Sequence, residues 1–465
     1  MKTYTNYYFV GAGGIGMAAL ERYFKSKGAN VAGYDRTRTA LTDALAAEGV
    51  EIVFDDDPNL IPKQFEPDNT LVVYTPAVPA DNAIFTTLRS GGFTIFKRAQ
   101  VLGMITEGSY GLCFSGTHGK TTTSSMAALI LHESGVGCNA FLGGVLRNIG
   151  SNLILSDTSP FSVIEADEYD RSFHHLRPYV AVVTATDPDH LDIYGTEEAY
   201  LESFAHFTEL IRPDGALIVH EGLKLVARPP KGVKTFTYSL SSGDFHAENI
   251  RRREGEIIFD LVTPDHVITD INLGVPVEVN IENAIAAAAA CHLTGRVGDN
   301  DIRKALSDFK GPKRRFEFWL RPADDPLGRA IIDDYAHHPD ELRASIKSVK
   351  ALFPGRELTV AFQPHLYSRT RDFAGDFAEA LSLADKVVLL DIYPAREQPI
   401  AGVTSKIIFD KIKCRDKVMI SKEKLTETIK ICNFDVLLTA GAGDICDFLP
   451  EIVESVVCRQ ADNDE

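Results

Sequence analysis

The chain has 465 residues, too many for one core, and at about 150 residues per domain it predicts roughly three domains. Hydrophobic residues make up 45% and charged residues 24%, the balance of a folded globular protein rather than a disordered one. A net charge of −17 argues against a nucleic-acid backbone or an anionic membrane as partner, so any phosphate must be held by local groups. The seven cysteines form no C-x-x-C and leave one odd, which fits a reducing cytoplasm. With neither a basic leader before an apolar segment nor an 18-residue apolar run, export and membrane insertion are not expected. The closing "ADNDE" reads as a frayed acidic tail.

In chain order, "TNYYFVGAGGIGMAALERYFKSKGANVAGYDR" reads as strand, glycine turn, helix and strand. Gly11, Gly13 and Gly16 have G-x-G-x-x-G spacing, with Gly14 inside the turn and Asp35 closing the second strand. That is a dinucleotide-type βαβ unit, which taken alone suggests NAD and a dehydrogenase. Strand candidates "TLVVYTPAV" and "GFTIFKR" carry this α/β module to about residue 107.

The second module, 108–320, opens on "FSGTHGKTTTSS". It fails the strict G-x-x-x-x-G-K-[ST] pattern, because only Thr117 and His118 separate Gly116 from Gly119. A strand still feeds the loop and a helix still follows it, so backbone N–H groups and a helix N-terminus face an anion. Lys120 would reach the β and γ phosphates, and Thr121, followed by Thr122, would ligate Mg²⁺. "IEADEYD" puts Glu165, Asp167 and Glu168 at a strand's carboxyl end, with Glu165 the first choice for the metal. His190 in "DPDHLDIYG" stands after the next strand as a second metal candidate or a plain loop residue. Alternating residues over 243–279 suggest a small β insertion. Asn280 and Asn283 share a face at the start of an alanine-rich helix and suit either an adenine or an N-cap. Arg314 and Arg315 lie in "FKGPKRRFEFW", which reads as a basic crossing out of the domain.

The third module, 321–465, alternates "RAIIDDYA", "ELTVAFQP", "KVVLLDIYP" and "DVLLTAGAG" with helices, one of which keeps Leu342, Ile346, Val349 and Leu352 on one face. "DDYAHHPDE" and "FQPHLYSRTRD" end two strands in His and Arg clusters, which suits a carboxylate or a phosphate.

"GAGGIGM", "GTHGKTTT", "EADEYD", "DHLDIYG", "KGPKRRFE", "DDYAHHPDE", "FQPHLYSRTRD" and "TAGAGDI" resemble, in order and over almost the whole chain, the motifs of the Mur ligase family of peptidoglycan synthesis. The resemblance implies three α/β domains: a Rossmann-like UDP-binding domain, a P-loop ATPase-like domain and a Rossmann-like amino-acid domain. It implies an ATP-dependent ligase joining L-alanine to UDP-N-acetylmuramate, active as a monomer or weak dimer. Gly11, Gly13, Gly14, Gly16 and Asp35 would hold the UDP-sugar. Gly116, Thr117, His118, Gly119, Lys120, Thr121 and Thr122 would hold the ATP phosphates, Asn280 and Asn283 the adenine. Two Mg²⁺ ions would sit on Thr121 and Glu165, and on His190. Lys120, His190, Arg315, His337 and Arg369 would act in catalysis, and Tyr335, His337 and Arg369 would contact substrate.

Three positions depart from the family's usual pattern. Val279 stands where a basic residue or His precedes the first asparagine, and Leu366 stands where many alanine-adding members have arginine. Ala205 occupies the place of the lysine that is carbamylated in ligases adding later residues, and no lysine occurs between Lys120 and Lys224. "FQPH" and "AREQPIAGV" also favour alanine over the runner-up, a ligase that recycles a preformed murein tripeptide.

Overall fold

The computed structural model describes residues 4–253, 255–395 and 397–458, apart from the side chains of Leu191, Asp192 and Cys458. The acidic tail and Arg396 of "AREQPIAGV" lie outside the described residues.

The first five strands, β1 (Asn6–Val10), β2 (Asn30–Tyr34), β3 (Glu51–Val53), β4 (Thr70–Tyr74) and β5 (Thr94–Lys97), form a parallel sheet in the order β3-β2-β1-β4-β5. Central β1 is buried along its whole length, as a parallel strand covered on both faces must be. The helix after it, α1 (Ile15–Ser26), buries Met17, Leu20 and Phe24.

The next seven strands are β6 (Tyr110–Ser115), β7 (Asn139–Leu146), β8 (Ser151–Ile154), β9 (Phe161–Glu165), β10 (Val180–Val183), β11 (Ala216–His220) and β12 (Lys234–Tyr238). Their order is β12-β11-β10-β6-β9-β7-β8, parallel except for the edge pair β7 and β8. Central β6 feeds the glycine loop and α2 (Lys120–Glu133); α3 (Glu197–Glu209) follows β10. Phe9, Leu20 and Val73 of the first sheet's layer share one hydrophobic core with Ile164, Val183 and Phe204 of the second. That shared core makes the two sheets parts of one compact unit, Met1–Glu248 with Leu261–Thr269 and Glu282–Leu306.

The β insertion expected over 243–279 is a three-stranded sheet of β13 (His246–Arg253), β14 (Glu256–Val262) and β15 (Val267–Asn272). The helix after it, α4 (Val279–His292), buries Ala286 to Ala290 completely. At the end of the run the Cys291 thiol donates to the Ala127 carbonyl of α2 at 3.6 Å.

The second unit is Asn249–Asp260, Asp270–Ile281 and Ser307–Glu465. Its main sheet is β16 (Glu317–Leu320), β17 (Ala330–Asp334), β18 (Leu358–Phe362), β19 (Lys386–Leu390), β20 (Asp416–Ile420) and β21 (Val436–Ala440), ordered β16-β17-β21-β18-β19-β20. The stretch read as a basic crossing lies within this unit, and its "EFWL" is β16, antiparallel to β17. After β17 comes α5 (Pro339–Leu352), with Leu342, Ile346, Val349 and Leu352 buried as their spacing predicts; α6 (Tyr367–Asp372) follows β18. Among the described residues no helix is long and apolar enough to cross a membrane.

Candidate active site

In the first unit the carboxyl end of β1 turns at Gly11, where φ is +92° and a Cβ would stand 2.5 Å from Thr75 Cγ2, so only glycine fits. Gly14 precedes α1, and a Cβ on Gly16 in its first turn would run into the Arg98 guanidinium. Asp35 accepts hydrogen bonds from the Gly13 N–H at 2.7 Å and the Thr37 N–H at 2.9 Å. The carboxylate expected on a ribose therefore also holds the turn. These four glycines, Asp35 and Arg98 line a cavity of about 760 Å³, a size typical of small-molecule sites.

A second cluster in the same unit surrounds the shortened loop. Gly116 has φ +137°, and a Cβ there would lie 2.7 Å from the Ala185 nitrogen. Gly119 has φ +83°, and a Cβ would lie 2.8 Å from Asn283 Oδ1. Both glycines are demanded by backbone conformation and by space. Lys120, at the head of α2, donates to the Gly116 carbonyl at 2.6 Å and to Glu168 Oε1 at 2.8 Å. The Glu168 side chain is 1% exposed, and its Oε2 has no hydrogen-bond partner. Burial pushes its carboxyl above the usual carboxylate range, against the pull of Lys120. Thr121 and Thr122 lie half-buried in the first turn, and the His118 carbonyl accepts from the Thr184 hydroxyl at 2.5 Å.

Glu165, at the carboxyl end of β9, accepts from the Gly143 N–H at 3.0 Å and from the Thr121 hydroxyl. Burial raises its carboxyl too, while the Thr121 hydrogen bond and the charge on Lys120 pull it back. His190 adopts φ +52°, and its ring stands edge-on to Tyr169 at 5.1 Å, beside the segment that carries Glu165 and Glu168. Among the described residues no group of three or more His, Cys, Asp and Glu forms a ready metal cage. Asn283 joins the loop, its Oδ1 accepting from the Thr123 hydroxyl at 3.1 Å. Asn280 falls instead in the second unit, where it is buried and donates to the Val275 carbonyl at 3.1 Å; the preceding Val279 is exposed.

The second unit holds a third cluster at the carboxyl ends of β17 and β18. Arg314 and Arg315, adjacent and alike in residue type, have different surroundings. Arg314 takes φ +59° and donates to the buried Asp333 carboxylate at 3.0 Å, to the Gly443 carbonyl at 2.9 Å and to the Gly441 carbonyl. Arg315 is exposed, its guanidinium 5.8 Å from the centre of the Tyr335 ring. Arg314 ties the unit together, which leaves Arg315 as the candidate for substrate.

The paired histidines also divide. His338 is the N-cap of α5 in a capping box with Glu341, a use its H-x-x-E spacing signals. His337 points Nδ1 at the Tyr335 carbonyl, 2.9 Å away, with Glu341 Oε2 at 3.2 Å. Two acceptors facing Nδ1 put the hydrogen there and leave Nε2 with its lone pair. Burial, with the charges of Arg369 and Arg315 against that of Glu341, lowers the His337 pKa, so the ring is neutral at pH 7. Arg369 lies on α6 with Nη1 3.5 Å from the His337 carbonyl. Leu366 caps that helix at φ +71°, a region few branched side chains enter.

Residues 6–110 match the Mur ligase family catalytic domain, residues 114–291 the Mur ligase middle domain and residues 314–443 the Mur ligase glutamate ligase domain. The chain belongs to the Mur ligase family. Among family members it is 57% identical to the UDP-N-acetylmuramate--L-alanine ligase of Parabacteroides distasonis over 98% of each chain. It is 55% identical to that of Phocaeicola vulgatus, over 97% of this chain and 98% of the relative. In three dimensions it resembles the crystal structure of the UDP-N-acetylmuramate-alanine ligase of Thermotoga maritima, with a TM-score of 0.77 and 28% identity over 97% of this chain and 98% of that one. A murein peptide ligase from Psychrobacter arcticus shares the fold at a TM-score of 0.62 and 21% identity.

Proposed function

We propose that this Mur ligase joins L-alanine to UDP-N-acetylmuramate in the cytoplasm, using ATP to make an acyl phosphate and releasing ADP and phosphate. The observation that carries the reading is the 57% identity, end to end, with a ligase of that name. An NAD-dependent dehydrogenase, the reading of the first glycine turn alone, leaves the ATP loop without a task.

A carboxylate resists attack by an amine because oxide is a poor leaving group, and phosphorylation replaces it with phosphate. Two anions must meet first. Lys120, the loop N–H groups and the N-terminus of α2 offset their repulsion and align the γ-phosphoryl group for transfer. Lys120 must trade its contact with Glu168 for phosphate oxygens. The four glycines and Asp35 would hold the UDP portion, and Asn280 and Asn283 are assigned to the adenine side.

The Thr121 hydroxyl and the Glu165 carboxylate are hard oxygen donors that fit Mg²⁺, and a cation would relieve the burial penalty on Glu165. His190 would hold a second ion. When bound, the ions supply positive charge to the phosphate oxygens. Glu165→Gln and His190→Ala should each raise the Mg²⁺ concentration for half-maximal activity; a metal titration unchanged in both would remove these residues from the metal assignment.

Alanine is assigned to Tyr335, His337 and Arg369, with Arg369 on its carboxylate. Neutral His337, with Nε2 free to accept, is suited to take the proton that the alanine ammonium must lose. Arg315 supplies positive charge for the anionic tetrahedral intermediate. Because the His337 pKa is lowered, the base stays competent below the ordinary histidine value. The acid limb of kcat/KM for alanine should therefore fall below about pH 6.5 and disappear in His337→Asn. A limb above that value, retained in the variant, would take the role from His337.

The test of the function is phosphate release that requires ATP, UDP-N-acetylmuramate and L-alanine together. Release unchanged without the sugar nucleotide or the amino acid would reject the ligase reading.

A further inference from the structure

Tyr200 lies in the first half of α3, fully buried, its ring edge-on to Tyr194 at 4.9 Å and to Phe204 at 5.1 Å. In the sequence it belongs to an apolar stripe with Phe204 and Phe207, and nothing there marks its hydroxyl. That hydroxyl stands 2.9 Å from Thr117 Oγ1, in the middle of the shortened loop.

The direction of the bond follows from its neighbours. Thr117 has one hydroxyl hydrogen, and it is spent on the Asp187 carbonyl at 2.7 Å, a group that can only accept. The Tyr200 phenol is therefore the donor. Three groups form one line: the Tyr200 O–H donates to Thr117, and the Thr117 O–H donates to Asp187, three residues before His190. The Thr117 N–H also reaches the Ala185 carbonyl at 3.0 Å, so the same short segment meets the loop twice. The phenol cannot serve as an acid or base at neutral pH, because burial holds it far above its ordinary range.

We propose that Tyr200 is a positioning residue for the reaction: by donating to Thr117 it fixes the ATP loop against the segment that carries His190. A loop with only two residues between its glycines has fewer N–H groups with which to cradle phosphate, so it depends more on outside anchors. Tyr200 supplies one from a helix outside the loop. The inference rests on reading residues 116–121 as the ATP loop.

Tyr200→Phe keeps the ring and its packing and removes only the donor. It should weaken ATP binding about five- to tenfold, the loss typical of one buried hydrogen bond, and leave the affinity for UDP-N-acetylmuramate unchanged. Thr117→Val should do the same, and the double variant should bind ATP no more weakly than Thr117→Val alone, because both changes cut one line. The experiment is a calorimetric double-mutant cycle with ATP on the full chain, each variant's melting temperature being measured beside it. Additive losses in ATP affinity, or wild-type affinity in Tyr200→Phe, would overturn the proposal; so would a fall in melting temperature with affinity intact, the signature of a merely structural tyrosine. Because the readout is ATP binding and not ligation, failure of this coupling is distinct from failure of the ligase reading, which phosphate release reports separately.

Discussion

Lys120→Ala should lower ligase activity by about a thousandfold or more while the protein still binds UDP-N-acetylmuramate as tightly as the unaltered chain. The first half of the expectation follows from the position of Lys120 between the Gly116 carbonyl and Glu168, where its ammonium contacts the loop's backbone directly. The second half follows from the sugar-nucleotide assignment, which rests on a separate glycine turn and a separate cavity. Removing Lys120 also leaves Glu168 buried without its partner. A thermal melt should therefore accompany calorimetry with the sugar nucleotide. Loss of sugar-nucleotide binding in a folded variant would mean that the two phosphate cradles have been assigned the wrong way round.

The adjacent arginines should give opposite results. Arg314→Ala strips the buried Asp333 carboxylate of its ion pair and leaves the Gly441 and Gly443 carbonyls without their donor. Breaking a buried pair on one side costs about 3–5 kcal/mol, and a thermal or urea transition of the second unit should show it. Arg315→Ala removes an exposed side chain and should change stability by no more than about 0.5 kcal/mol. Its ligase turnover should nevertheless fall about a hundredfold or more, because its charge is assigned to the reacting groups. If Arg314→Ala proved as stable as the unaltered protein, or Arg315→Ala as active, the division of labour between the two residues would be wrong.

That pair also marks where the sequence stops being informative. Lysine and glycine spacing made the strand, tight turn and helix around residues 116–120 legible despite the failed motif pattern, since those physical requirements survive the shortening. The parallel sheets were legible in their apolar runs, and the buried face of α5 in its helical period. Residue type alone does not separate two consecutive arginines: in the structure Arg314, at φ +59°, is half-buried and ion-paired, and Arg315 is exposed. The strand β16 was hidden because four residues after a basic stretch are too few to show a period. Asp35 was read for one partner and has another, the Gly13 N–H, which only the closed turn brings within reach. Tyr200 was invisible because an aromatic at helical spacing reads as core, which it also is.

Ala205 bears on the same question of which ligase this is. It is 4% exposed on the buried face of α3, packed into the core rather than offered as a lysine site. A ligase that needed a carbamylated lysine there would lack it, and this chain should keep its activity without carbon dioxide.

Whether this ligase adds alanine is decided by the mass of the product formed from ATP, Mg²⁺ and UDP-N-acetylmuramate with either free L-alanine or the murein tripeptide. The alanine adduct is expected, with no tripeptide adduct and with a glycine adduct formed roughly 10- to 200-fold less efficiently, because one methyl group discriminates by only about 1–3 kcal/mol. Product formed only with the tripeptide would contradict alanine addition.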